Sequence, residues 1–148
     1  MKTIVTIVLI CFSALYSYSQ GPLKLSIIKG TEKPNTENEH FYLLEISNTS
    51  NATTTFNISA SDKSCNNTKL QQIEMKQEIF DKQKSKTINT LNIPSGKTIE
   101  FYLKITRPTN ARQNSWNCTE VKAVTSNGIL LSNIITIESL IPNPNDVN

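Results

Sequence analysis

The sequence predicts an all-β fold, a two-sheet antiparallel sandwich of seven to eight short strands. Three observations predict it. Apolar residues recur at every second position through much of the chain, which gathers them on one face of each strand. Turn-forming clusters interrupt these runs at intervals of roughly ten residues. Two widely spaced cysteines, Cys65 and Cys118, suit a small domain clipped by one bridge.

The chain opens on a segment that precedes the fold. Lys2 supplies a positive start, and Ile4 to Leu15 form an apolar stretch of secretory length, too short to span a bilayer. Ser17 and Ser19 place small residues where a signal peptidase needs them. Residues 1–19 therefore read as a signal peptide, with Gln20 first in the mature chain. Ile10 stands before Cys11 where a lipidation signal requires a small residue, so Cys11 leaves with the leader. No later run of apolar residues is long enough to cross a membrane, and no membrane insertion is expected after cleavage. The expected location is secreted or periplasmic.

Strand patterns follow in order. Leu23, Leu25 and Ile27 alternate, then Tyr42, Leu44 and Ile46, although Phe41 and Leu43 leave the reverse face apolar too. Asn48-Thr49-Ser50-Asn51 can turn the chain before Phe56, Ile58 and Ala60 resume the alternation. Lys69 to Lys86 reads both ways. Leu70, Ile73, Gln77 and Phe80 share a helical face, whereas Ile73, Met75, Gln77 and Ile79 share a strand face. Its Gln, Glu, Lys and Met content favours helix locally, and the surrounding alternation tips it to strand. Asp81 to Lys86 reads as a solvated polar turn. A strand over 87–93 reaches Pro94-Ser95-Gly96, a preset turn. The clearest run follows over 97–106, where Ile99, Phe101, Leu103 and Ile105 oppose Thr98, Glu100, Tyr102, Lys104 and Thr106. Pro108 ends it. Glu120–Thr125 meets Asn127-Gly128, a strong hairpin signal, and a strand begins at Ile129. Ile135 and Ile137 mark the last strand. Residues 20–140 form the sandwich, and 141–148 read as a disordered tail.

An exported chain keeps its cysteines oxidised, so Cys65 and Cys118, 53 positions apart, are expected to form one structural disulfide worth about 4 kcal/mol. A redox pair would want the two thiols close in sequence. Fifteen basic against twelve acidic residues give a net charge of +3. With the cations dispersed, nucleic acid is not an expected partner.

The stretch Phe41-Tyr-Leu-Leu-Glu-Ile-Ser-Asn48, then Thr55-Phe-Asn-Ile58, then Ile93-Pro-Ser-Gly96-Lys-Thr-Ile-Glu-Phe-Tyr-Leu-Lys-Ile-Thr-Arg-Pro108 resembles the immunoglobulin-like accessory modules of bacterial secreted proteins. These include cell-adhesion-related domains and fibronectin-type-III-like appendages of extracellular enzymes. The resemblance covers residues 41–126 and implies an immunoglobulin-like sandwich that supports or binds another exported macromolecule. It departs from antibody domains, because Trp116 sits two residues before Cys118 and not between the cysteines. A composition rich in Asn, Ile, Lys and Thr suits a bacterial gene.

Chemistry-bearing residues are sparse. His40 is the single histidine. It lies beside Glu37 and Glu39 without the spacing that converges on a metal, so no metal or other cofactor is expected. The carboxylates are scattered, and no nucleophile or phosphate-loop motif occurs. The expected role is non-catalytic, with an exported protein or a glycan as partner. A small carbohydrate-binding module or adhesin is the alternative, and Tyr42, Tyr102 and Trp116 are its candidate contacts. Arg107 and Arg112 flank Pro108 in a polar loop. Asn48, Asn51, Asn57, Asn66 and Asn117 head Asn-x-Ser/Thr tripeptides, about as many as this composition yields by chance. Mass spectrometry without reductant is expected to find Cys65 and Cys118 joined; two free thiols in the exported protein contradict the compartment assignment.

Overall fold

The computed structural model describes residues 21–66 and 71–143. Residues 1–20, which include the expected leader, and the end of the tail from 144 lie outside the described residues. Nine strands run in chain order: β1 (Leu23–Lys29), β2 (Glu39–Asn48), β3 (Thr54–Lys63), β4 (Gln71–Gln72), β5 (Lys76–Phe80), β6 (Thr90–Ile93), β7 (Thr98–Thr106), β8 (Ser115–Val124) and β9 (Ile135–Ile141). No helix is present among the described residues. Sheet 1 has the order β1-β2-β7-β5. In sheet 2, β6 pairs β3, β3 pairs β8, and β9 takes the other side of β8. This is the A-B-E-D and C-F-G arrangement of a constant-type immunoglobulin sandwich, with β4 and β6 added.

The added strands raise the expected count of seven to eight. Where it is described, the ambiguous segment over 69–86 forms two strands, β4 and β5, and then the turn at 81–86, with no helix. Met75 and Ile79 are buried beside sheet 2 residues in one core, so tertiary burial overrides the local helix preference of their neighbours. β4 runs parallel to the start of β8, the one parallel pairing of named strands among the described residues. β8 itself begins at Ser115, earlier than the apolar pattern suggests. The tail boundary also moves, because Ile141 closes β9 and is buried.

The alternation sets the core. Leu44 and Ile46 on β2 and Phe101, Leu103 and Ile105 on β7 are fully buried, and they meet Phe56, Ile93, Val121 and Ala123 from sheet 2. Burying each large side chain contributes roughly 1.5–3 kcal/mol. One end of this interior is polar. Ser115, Asn117 and Thr119 take the inward positions of early β8, and all are buried. Asp62 at the end of β3 accepts bonds from Gln77 on β5, from Asn117 on β8 and from the backbone N–H of Met75. That carboxylate ties the two sheets where apolar contact runs out.

The disulfide joins Cys65 to Cys118 with a Cα separation of 5.4 Å. It links neighbouring strands of sheet 2, since Lys63 is the partner of Cys118 in the β3–β8 register. Gln72 then accepts the backbone N–H of Cys65, so bridge and β4 together fasten the chain beyond β3.

Both predicted turns beside Asn48 form, and they change sheets. The chain leaves sheet 1 through residues 49–53 and returns to it through 94–97. Asn48 is 1% exposed. Its Nδ2 donates to the carbonyls of Ala52 and Ile93, and its Oδ1 accepts from the N–H and hydroxyl of Ser50. Gly96 adopts φ 66°, a left-handed conformation that glycine takes without strain, and its N–H reaches the Asn48 carbonyl. Asn48→Ala strands several of these groups at once. The expected loss is about 2–4 kcal/mol, read as a lower urea midpoint with an unchanged slope; a midpoint equal to wild type contradicts the assignment.

Candidate functional site

The outward positions of sheet 1 carry the most distinctive surface. Phe41 and Leu43 on β2, Phe80 on β5 and Tyr102 on β7 alternate with core residues and are half-buried. The Phe41 ring stands 6.2 Å from Phe80 and 6.2 Å from Tyr102, tilted to one and edge-on to the other, as ring quadrupoles favour. The loop after β1 and the turn after β5 rise beside these rings. The groove between them encloses about 180 Å³, with Phe41, Leu43 and Tyr102 beneath and Lys29, Lys33 and Lys84 at its sides.

Lys84 is held in place by strain. Its φ is 57°, a left-handed conformation that a β-carbon makes unfavourable by about 1–2 kcal/mol. The turn compensates through Asp81, whose carbonyl accepts the Lys84 N–H at 2.9 Å. The Asp81 carboxylate accepts the Ser85 N–H at 2.7 Å and the Ser85 hydroxyl at 2.6 Å. Those bonds, the hydroxyl first, hold the carboxyl below the ordinary aspartate range. Lys84 Nζ consequently lies 4.5 Å from the Phe41 centroid and 4.2 Å from that of Tyr102, a contact worth roughly 0.5–1 kcal/mol at an exposed site. Lys29 pairs with Glu32, and Lys104 with Glu39. Among the described residues, Lys33 and Lys84 have no carboxylate within ion-pair distance. Glu32 also lines the groove, so three lysines face one carboxylate above an aromatic floor, an excess of positive charge that suits anionic groups.

The residues expected to bind a ligand do not share one surface. Tyr102 borders this groove. Tyr42, expected as a surface contact, is 9% exposed, because its alternation phase is that of Leu44 and Ile46. Its hydroxyl meets Ser139 Oγ at 3.3 Å inside the polar end. Trp116 borders a different cavity at that end, together with Tyr42, His40 and Arg107. Trp116 and Cys118 share the outward face of β8, two residues apart. Phe41, Phe80 and Lys84 were not singled out from sequence. The apolar reverse face formed by Phe41 and Leu43 was the available signal.

His40 is 3% exposed. Its Nε2 lies 3.0 Å from the Glu37 carbonyl and its Nδ1 lies 3.1 Å from the Thr31 hydroxyl. A carbonyl only accepts, so the proton sits on Nε2 and Thr31 donates to Nδ1. Glu37 thus engages His40 through its backbone. No group of three or more His, Cys, Asp or Glu is arranged to hold a metal among the described residues. Of the five Asn-x-Ser/Thr positions, Asn48 and Asn117 are buried and hydrogen-bonded within the fold, which leaves no room for a glycan on either.

No protein-family model and no curated protein matches the chain. Among solved structures it is similar to a FixG-related protein from Vibrio parahaemolyticus, with a TM-score of 0.52 and 12% identity, covering 82% of this chain and 97% of that one. It is also similar to the apo PmoF2 PCuAC domain, with a TM-score of 0.45 and 10% identity, covering 86% of this chain and 94% of that one. At 12% identity the first likeness shows the fold alone, and the second adds nothing to it.

Burial holds the His40 imidazole below the ordinary histidine range, opposed in part by the Glu37 carbonyl and reinforced by the Arg107 and Lys33 charges. The unfolded chain takes up this proton near pH 6.5, while the folded chain resists it. The stability contributed by neutral His40 is complete above about pH 6.5 and is lost as pH falls through the folded value. The carboxyls held low, Glu32, Glu39, Asp81 and Glu120, act only in a more acidic window. Urea midpoints are expected to be level from about pH 8 to 7 and to fall as pH drops below about 6.5. His40→Gln should flatten that fall; an equal fall in the variant contradicts the assignment.

Proposed function

We propose that the chain is an exported, non-catalytic binding module that holds an acidic segment of another exported protein in the groove on sheet 1. The observation that carries this is the placement of Lys84, kept in a strained conformation with its ammonium over Phe41 and Tyr102. Backbone strain maintained at a surface turn, with no gain to the core, points to a function for that turn. An ammonium already seated on two rings has lost part of its freedom before a ligand arrives, which lowers the cost of forming the new ion pair.

The rest of the molecule agrees with this reading. A secretory leader and a disulfide suit an oxidising compartment. The resemblance to immunoglobulin-like accessory modules supports a binding role in place of a catalytic one. A sandwich also offers a rigid base on which loops such as 30–38 and 81–86 can be positioned. The glycan reading has less support. A sugar-stacking platform needs open ring faces on a common surface, whereas Tyr42, Tyr102 and Trp116 lie in three settings and Lys84 covers the face of Tyr102.

Photo-crosslinking tests the proposal. A photoreactive residue at Tyr102, in the protein exported by its own host, is expected to trap one protein partner. Lys84→Glu should reduce that product about tenfold, the scale of one charge-assisted contact turned repulsive. The same residue placed at Thr136, on the outer face of sheet 2, should give no product. Equal yields at both positions, or a product insensitive to Lys84→Glu, overturn the assignment. Binding to an array of neutral glycans that is lost with Tyr102→Ala replaces it with the carbohydrate reading.

A further inference from the structure

The polar end of the sandwich contains a second cavity that the groove does not use. It encloses about 180 Å³ and is lined by His40, Tyr42, Arg107, Trp116, Glu138 and Ser139, among others. Arg107 follows β7 directly and is half-buried. Its Nη2 donates to the carbonyls of Asn35 and Leu140, and its backbone N–H donates to the Asn38 carbonyl. These bonds pin the 30–38 loop to β9. They leave the guanidinium with no carboxylate within ion-pair distance among the described residues, Glu138 included. Its Nε is buried and makes no hydrogen bond among the described residues.

That arrangement is costly as it stands. An arginine keeps its charge at any ordinary pH, and partly withdrawing that charge from water without a counter-ion is unfavourable. Burial holds the Arg107 guanidinium below its ordinary range, the electrostatic sign of the same cost. His40 beside it is neutral, and Tyr42 is tied to Ser139, so neither supplies negative charge. The other buried side-chain atoms without partners among the described residues are the hydroxyls of Thr106 and Ser115. These belong to the end of β7 and the start of β8, the same end of the sandwich. Of the three residues, Arg107 is the one that lines the cavity; Thr106 and Ser115 are chain neighbours of lining residues. The available space compares with a cavity of about 150 Å³ that accepts benzene, and Trp116 and Tyr42 stand among its lining residues.

We propose that this cavity is a binding site for a carboxylate carried on a small apolar group, with Arg107 as the anion-binding residue and Trp116 as the apolar wall. A free organic acid and the terminal carboxylate of a peptide present the same chemistry, a planar anion that a guanidinium recognises by charge-assisted hydrogen bonds. The site is separate from the sheet 1 groove and does not depend on the function proposed for it.

Trp116 is the single tryptophan of the chain, so its fluorescence reports on this cavity alone. The folded protein is titrated with cyclohexanecarboxylate, which does not absorb where tryptophan does, and with its neutral carboxamide. A parallel arm uses a tripeptide ending in leucine and the same peptide amidated at its C-terminus. A saturable change with the acid, at least about tenfold weaker for the neutral counterpart, is expected in one arm or both. Response to the small acid identifies a free carboxylate, and response to the peptide alone identifies a chain end. Arg107→Gln should abolish the response; because Arg107 also pins a loop, its far-UV spectrum is checked first. Should that variant unfold, the acid-against-amide comparison in the wild type decides. No saturable change in either arm, or equal changes with acid and amide, overturns the proposal.

Discussion

One asparagine fixes how the two sheets face each other. β2 belongs to sheet 1 and β3 to sheet 2, and the chain passes between them immediately after Asn48; it passes back from β6 to β7 through a turn lying against the same residue. The Asn48 amide bonds to Ala52 in the first crossing and to Ile93 at the head of the second, and its backbone carbonyl receives the Gly96 N–H. A buried amide with every one of these partners resists displacement, because any shift leaves unsatisfied groups away from water. Hydrophobic burial drives the sheets together. It is directionless, and the asparagine supplies the direction.

The opposite end is organised differently. There the interior is lined by Asp62, Gln77, Asn117 and Thr119, joined by hydrogen bonds across the sheets. Polar networks of this kind specify geometry when every member is satisfied. Here satisfaction stops short at Thr106, Arg107 and Ser115, so the end that packs least completely also holds a cavity and an unpaired cation. The groove on sheet 1 draws on another property, the outward face of a well-anchored sheet. Phe41 and Tyr102 stand on strands whose inward residues include the fully buried Leu44, Ile46, Phe101, Leu103 and Ile105, which gives Lys84 a rigid surface to rest on.

Much of the fold was legible because alternation and turn chemistry agree. The run over 97–106 became β7 with Phe101, Leu103 and Ile105 inward, and Asn127-Gly128 made its turn, with Gly128 at φ 82°. The start of β8 was hidden because its inward residues are Ser115, Asn117 and Thr119, so the pattern that marks a buried face carried no apolar signal. Lys69 to Lys86 was ambiguous because its composition favours one local structure and its burial another. The sites were harder. Tyr42 follows the inward phase of its own strand, a consequence already contained in the alternation, whereas Trp116 and Arg107 meet only through contacts between distant strands. Lys84 lies in a polar turn whose importance depends on a dihedral angle and on two rings far away in sequence. No periodicity reports such a thing.

Native-state hydrogen exchange measures the central constraint directly. The amides of Ser50 and Gly96 sit in turns, where exchange is ordinarily fast and governed by local opening. Because Asn48 accepts both, through its side chain and its carbonyl, they are predicted to exchange only with global unfolding, at the same free energy as Leu103 in the centre of β7. Exchange at those two amides as fast as at the exposed turn residue Asn127 would contradict the view that Asn48 holds the sheets in register.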